Sequence, residues 1–213
     1  MPAFLKSPSV WSLLVMNFAF MLAAIFYHWD VFEMIFIFWM ENLVIGFYNI
    51  LKMAMVKKTG AKKLGVTLTA PLATVKIILI AFFIFHYYLF CLVHGLFIVV
   101  LFGEHSTGQS GVIANIASLN AHTIVSALIA MLISHGLSFW RNYCCNKEYD
   151  SETLAGLMKS PYSRILIVHV VVMAAGFLIL MTGFSTIMIV LFSLLKTGVD
   201  LKVHLSQMTN KVA

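Results

Sequence analysis

Charge is what this chain has least of. Only 10% of its 213 residues are Asp, Glu, Lys or Arg, and 62% are hydrophobic. A soluble domain carries about 25% charged residues, so a water-soluble fold is excluded. Cysteine is scarce as well: Cys91, Cys144 and Cys145 contain no C-x-x-C spacing, which argues against a disulfide framework and against dithiol redox chemistry. Gly-rich phosphate loops, serine nucleophile elbows and H-E-x-x-H pairs are missing, and with them the enzyme classes they mark. The first apolar stretch has no A-x-A cleavage site and is too long for a signal h-region, so it is expected to be retained as a span. No internal repeat or low-complexity tract is present.

The basic residues that do occur are placed with strong regularity. All 14 Lys and Arg fall at Lys6 and within 52–76, 141–164 and 196–211, separated by long apolar segments. Basic loops stay cytoplasmic, so the chain is expected to cross the membrane twice between successive basic stretches. This predicts an all-α membrane protein, a single six-helix bundle with both termini inside. Spans are expected near 10–27, 31–55, 74–102, 120–140, 162–182 and 186–203, each close to the roughly 20 residues a bilayer requires. Pro161 reads as a first-turn proline of the fifth span, and the Gly/Ser-rich outer segment 103–119 as a surface segment. The net charge of +6 is topology charge facing the anionic cytoplasmic leaflet. The expected partner is the lipid bilayer and not nucleic acid; an oligomer is compatible with the pattern.

Ionisable groups inside spans are costly and mark functional sites by default. Measured from the nearest inner basic anchor at about 1.5 Å per residue, Glu41 (from Lys52) and His86 (from Lys76) share a level roughly 15–16 Å up. His135 and His169 fall roughly 8–9 Å above Arg141 and Arg164. Glu33, His94 and His122 come out near the outer boundary, and Asp200 and His204 near the inner one. Polar stripes accompany these groups: Asn42, Gly46 and Asn49 beside Glu41; Ser134, His135, Ser138 and Asn142; and Ser193, Lys196, Thr197, Asp200 and His204. Such faces are expected to point away from lipid. Taken singly, each histidine is interhelical hydrogen-bonding glue. Taken as a set, Glu41, His86, His135 and His169 match the ligand preferences of Zn or Fe. Asn42, Asn49, His94, Ser134, Ser138, Lys196, Asp200 and His204 form a supporting polar network.

Several strings occur together: Trp39-Met-Glu41-Asn42 with Gly46 and Asn49, Phe85-His86-Tyr87 with Cys91-Leu-Val-His94-Gly95, and Ser134-His135-Gly136. To these are added Pro161-Tyr162-Ser-Arg164 with His169, and 195–204 with Lys196, Asp200 and His204. The set resembles an uncharacterised family of bacterial six-span inner-membrane proteins, a domain of unknown function. The resemblance implies an inner-membrane location and marks Glu41, His86, His94, His135, His169, Asp200 and His204 as part of the pattern. It implies no activity.

Four functions follow from these residues. The first is an intramembrane metalloprotein, with Zn or Fe on the four-residue set, acting on a lipid or small apolar substrate through a metal-bound water. The second is a proton- or ion-coupled transporter with Glu41 as carrier and the histidines as relay; the lack of a repeat counts against it. Haem held by two facing histidines, such as His86 and His169, ranks below both. The fourth is a non-catalytic membrane subunit whose polar groups are all structural.

Overall fold

The structure is a computed structural model that describes residues 31–60, 71–104 and 111–162, with isolated positions elsewhere (15, 18, 22, 26, 108, 165, 166, 169, 170, 190, 194, 197, 198 and 201). Most of the expected first, fifth and sixth spans lie outside the described residues, as do His28, His105, Lys196, Asp200 and His204.

Among the described residues regular structure is helical, with no strand. Helix α1 spans Val31–Met55, with Glu33 in its first turn and Lys52 in its last; both charges complement the helix dipole. Helix α2, Leu72–Ile98, starts directly after Pro71 and widens into a π-turn over Val99–Gly103. A short helix α3, Val112–Ala117, precedes α4, Ala121–Ser138, which passes into a second π-turn, Phe139–Cys145. Asn120 caps α4, its side chain accepting from the amides of His122 and Thr123. A further helical run, α5, covers residues 154–162.

Three stretches are long and apolar enough to cross a membrane: Phe32–Met55, Leu72–Gly103 and Ala121–Cys145, of 24, 32 and 25 residues. At 1.5 Å per residue the second is about 48 Å long, more than the roughly 30 Å hydrocarbon core, so it must tilt or project. Helix α1 is the centre. Its contacts to α2 run in opposite sequence directions, Trp39 meeting Cys91 and Lys76 meeting Ala54. Its contacts to α4 run in the same direction, Glu33 meeting Asn120 and Lys52 meeting Tyr143. Thus α2 is antiparallel to α1 and α4 parallel to it, as three consecutive crossings require.

One device recurs at these interfaces. A helical carbonyl at position i is flanked by the side chain of i+4, which leans towards the helix N-terminus. Where i+4 is glycine, the carbonyl lies open to a donor from a neighbouring element. Trp39 Nε1 donates to the Cys91 carbonyl at 2.8 Å, beside Gly95. Tyr48 donates to Leu132 at 2.8 Å, beside Gly136. Tyr87 donates to Asn42 at 3.1 Å, beside Gly46, and Asn115 to Val99 at 3.1 Å, beside Gly103. At each glycine a Cβ would collide with the donating residue: it would stand 2.5 Å from the Tyr87 ring at Gly46 and 2.7 Å from the Tyr48 hydroxyl at Gly136. The last of the four pairs ties α3 to the end of α2, so the expected surface segment is pinned by the buried Asn115.

Helix α5 is built the same way at its inner end. Thr153 Oγ1 accepts from the Gly156 amide, while the Leu154 and Ala155 amides donate to the carbonyls of Lys58 and Thr59. The first-turn donors that a helix leaves open are therefore closed. Leu154 and Leu157 then enter a core with Met53, Val56, Phe83, Tyr87, Cys91 and Ile165. Nearby, Lys57 pairs with Asp150 at 3.0 Å on the surface. The hydrogen bond that Lys57 donates to Asp150, then the Asp150 charge, raises the Lys57 pKa. Its stabilisation therefore persists below the ordinary lysine value and is lost as pH rises through the raised one; both side chains are exposed, so the pair is a weak tether.

Two expectations are corrected. Helical structure begins at residue 154, before the expected 162, because Thr153 caps it and the 58–59 carbonyls receive its amides. Pro161, expected in a first turn, is therefore inside a helix.

Gly95→Ala is predicted to destabilise the protein by about 1–3 kcal/mol by overpacking against Trp39. Gly198→Ala, where a Cβ meets nothing within 4 Å, should be neutral or stabilising. Thermal unfolding in detergent separates the two, and equal shifts would contradict the packing account.

Candidate functional site

Helices α1, α2 and α4 and the fifth-span positions bring the ionisable groups together in pairs. His94, on α2, is 3% exposed. Its Nε2 lies 2.6 Å from His169 Nδ1, the rings meeting edge to face, with Phe90 against both. At that separation one imidazole donates and the other accepts, so a single proton lies between them.

Glu41 and His135 form the second pair. Glu41 Oε1 stands 3.5 Å from His135 Nε2, their side chains 16% and 29% exposed. The Tyr48 ring stacks on His135, and the same Tyr48 hydroxyl holds the Leu132 carbonyl one turn earlier. Tyr48 thereby fixes the rotation of α4 that presents His135 to Glu41. One turn further along α4, Asn142 donates to Ser138 at 3.3 Å.

His86 makes the third pair. Its Nδ1 lies 2.8 Å from the Tyr162 hydroxyl, and Phe82 stacks on its other side. Asn42 and Asn49, expected as supporting network, are buried. Asn42 donates to the carbonyls of Phe38 and Trp39 in its own helix, and Asn49 donates across to the Leu157 carbonyl at 3.0 Å.

The expected four-ligand set does not meet. Among the described residues no three His, Cys, Asp or Glu side chains form a group able to hold a metal ion. Glu41 and His86 do share a level, since Tyr87 reaches the Asn42 carbonyl. However, His86 turns towards Tyr162, away from Glu41. The matching of His135 with His169 is replaced: His169 touches His94 and so shares its level. The level of His169 was measured from Arg164, ten residues after α5 begins, and so came out too low. The spacings agree on this point. Tyr162 to His169 is about 10 Å of helical rise and His86 to His94 about 12 Å, as for two helices running side by side. Glu33, a candidate companion for His94, instead accepts from the Asn120 amide at 2.8 Å and closes the start of α4.

A family of unknown function (DUF6498) has a model that matches residues 1–211. The chain belongs to that family. No curated protein and no solved structure matches it. The pairs just described are therefore the only guide to what this member of DUF6498 does, and they join five of the residues marked out in its sequence: Glu41, His86, His94, His135 and His169. Tyr48 and Tyr162, which hold two of these, carried no separate signal; the string Tyr-Asn beside Gly46 and the proline before Tyr162 were the available pointers.

Removing one partner of a largely buried pair costs more than removing both, because the remaining group is left desolvated. Glu41→Leu is therefore predicted to destabilise by about 1–2 kcal/mol, reduced because both groups are partly exposed, with Glu41→Leu/His135→Leu recovering part of the loss. Additive losses in thermal unfolding would show that the two do not interact.

Proposed function

We propose that this chain is a proton-handling membrane protein, moving protons through acid–base pairs inside a six-span bundle in proton-coupled transport. It would lie in a bacterial inner membrane with its termini and basic loops cytoplasmic, as the distribution of Lys and Arg supports. The observation that carries the reading is the 2.6 Å contact between His94 and His169. Imidazole is the side chain that both takes and gives a proton near neutral pH, and two of them sharing one proton across a helix interface is a relay element.

Glu41–His135 and His86–Tyr162 supply further elements nearer the cytoplasmic end. Asn142 and Ser138 continue the polar face of α4 towards the inner loops.

A Zn or Fe ion is the competing reading. Two ligands of one tetrahedral zinc stand roughly 3.3 Å apart, as bonds of 2.0–2.1 Å require, and a third ligand is needed. The two imidazole nitrogens are at hydrogen-bond separation, which favours the shared proton.

The protein in sealed liposomes with an internal pH dye is expected to pass protons down an imposed potential. Glu41→Gln and His169→Ala should each slow that flux by roughly tenfold, the effect of about 1.4 kcal/mol on a barrier. A wild-type protein with no flux, or stoichiometric Zn or Fe lost on His169→Ala, would overturn the reading.

A further inference from the structure

Pro161 lies inside helix α5 and has no amide hydrogen, so the carbonyl four residues before it, that of Leu157, is left without its helical donor. Leu157 is buried. An unsatisfied carbonyl there would be costly. The Asn49 side chain, itself 6% exposed, comes from α1 and donates to this carbonyl at 3.0 Å. A proline ring inside a helix also crowds that same carbonyl. The residue immediately after Pro161 is Tyr162, the partner of His86, and His169 follows seven residues later.

We propose that Asn49 is the positioning residue of the site: by supplying the donor that Pro161 cannot, it fixes α5 against α1 at Pro161 and so seats Tyr162 on His86 and His169 on His94. Asn49 and the paired groups are thereby one mechanical unit, although Asn49 touches none of the histidines. Before Pro161, α5 is closed by Thr153 and the 58–59 carbonyls; after it, Tyr162 and His169 meet α2. The proposal deepens the proton reading by naming what holds its pairs together; the positioning itself stands without it.

The test is a four-protein cycle on the full chain: wild type, Asn49→Leu, Pro161→Ala, and both together. Asn49→Leu should lower the unfolding temperature by about 5 °C and shift the imidazole nitrogen resonances of His94 and His169. Alanine at 161 restores an amide donor to Leu157, so in that background the loss on Asn49→Leu should fall by at least half and the resonances should return towards wild type. Equal losses in the two backgrounds, or unmoved resonances, would overturn the proposal. If Asn49→Leu does not accumulate, accumulation of the double variant supports it and failure of both overturns it. Absence of proton flux in wild type alongside a coupled cycle would sink the proton reading and leave the positioning role. Flux with an additive cycle would do the reverse.

Discussion

An apolar helix offers its neighbours almost nothing polar except its own carbonyls, and those are normally covered. Where the fourth residue onward is glycine, the cover is removed, and a Trp, Tyr or Asn from the facing element fills the opening with a donor. Within lipid there is no hydrophobic drive to press one apolar helix against another. Close approach and interhelical hydrogen bonds must do that instead, and here a single residue pattern delivers both. The Leu157 carbonyl is the same case reached by another route, with proline removing the competing amide in place of glycine removing the cover. Each bond is worth on the order of 0.6–1 kcal/mol; their weight lies in fixing rotation and register for three neighbouring helices around α1.

That fixed rotation decides which ionisable groups meet. Tyr48 holds α4 so that His135 faces Glu41, and Asn49 holds α5 so that the groups beyond Pro161 face α2. The neutral donors are occupied with backbone carbonyls, which leaves the histidines to be met by other titratable side chains: a carboxylate, a phenol and a second imidazole. Pairs of this kind share protons across helix boundaries. A metal centre would need three of these groups at one point, and the helix rotations send His86 and His135 in different directions.

Much of this was legible before any coordinates. The runs of apolar residues marked α1, α2 and α4, and the depth scale correctly put Glu41 level with His86, because both lie on straight helices anchored by a nearby lysine. The stripe Asn42, Gly46, Asn49 marked the buried face of α1. Depth failed at His169, whose helix starts at Thr153 with a cap that resembles ordinary loop sequence, so Arg164 was taken for an anchor. Rotation was the other loss. The partner that His86 meets depends on where α5 runs after Pro161, and α5 is held there by a contact 108 positions away in sequence, which no local pattern encodes.

The account rests on helical carbonyls that accept from a second element at glycine openings, and isotope-edited infrared spectroscopy reads such a carbonyl directly. With a ¹³C=¹⁸O label at Leu132, the amide band should lie at lower frequency in wild type than in Tyr48→Phe, where the hydroxyl donor alone is gone. Coincident bands in the two proteins would mean that Leu132 accepts nothing from α1, and the proposed basis for the bundle's register would be wrong.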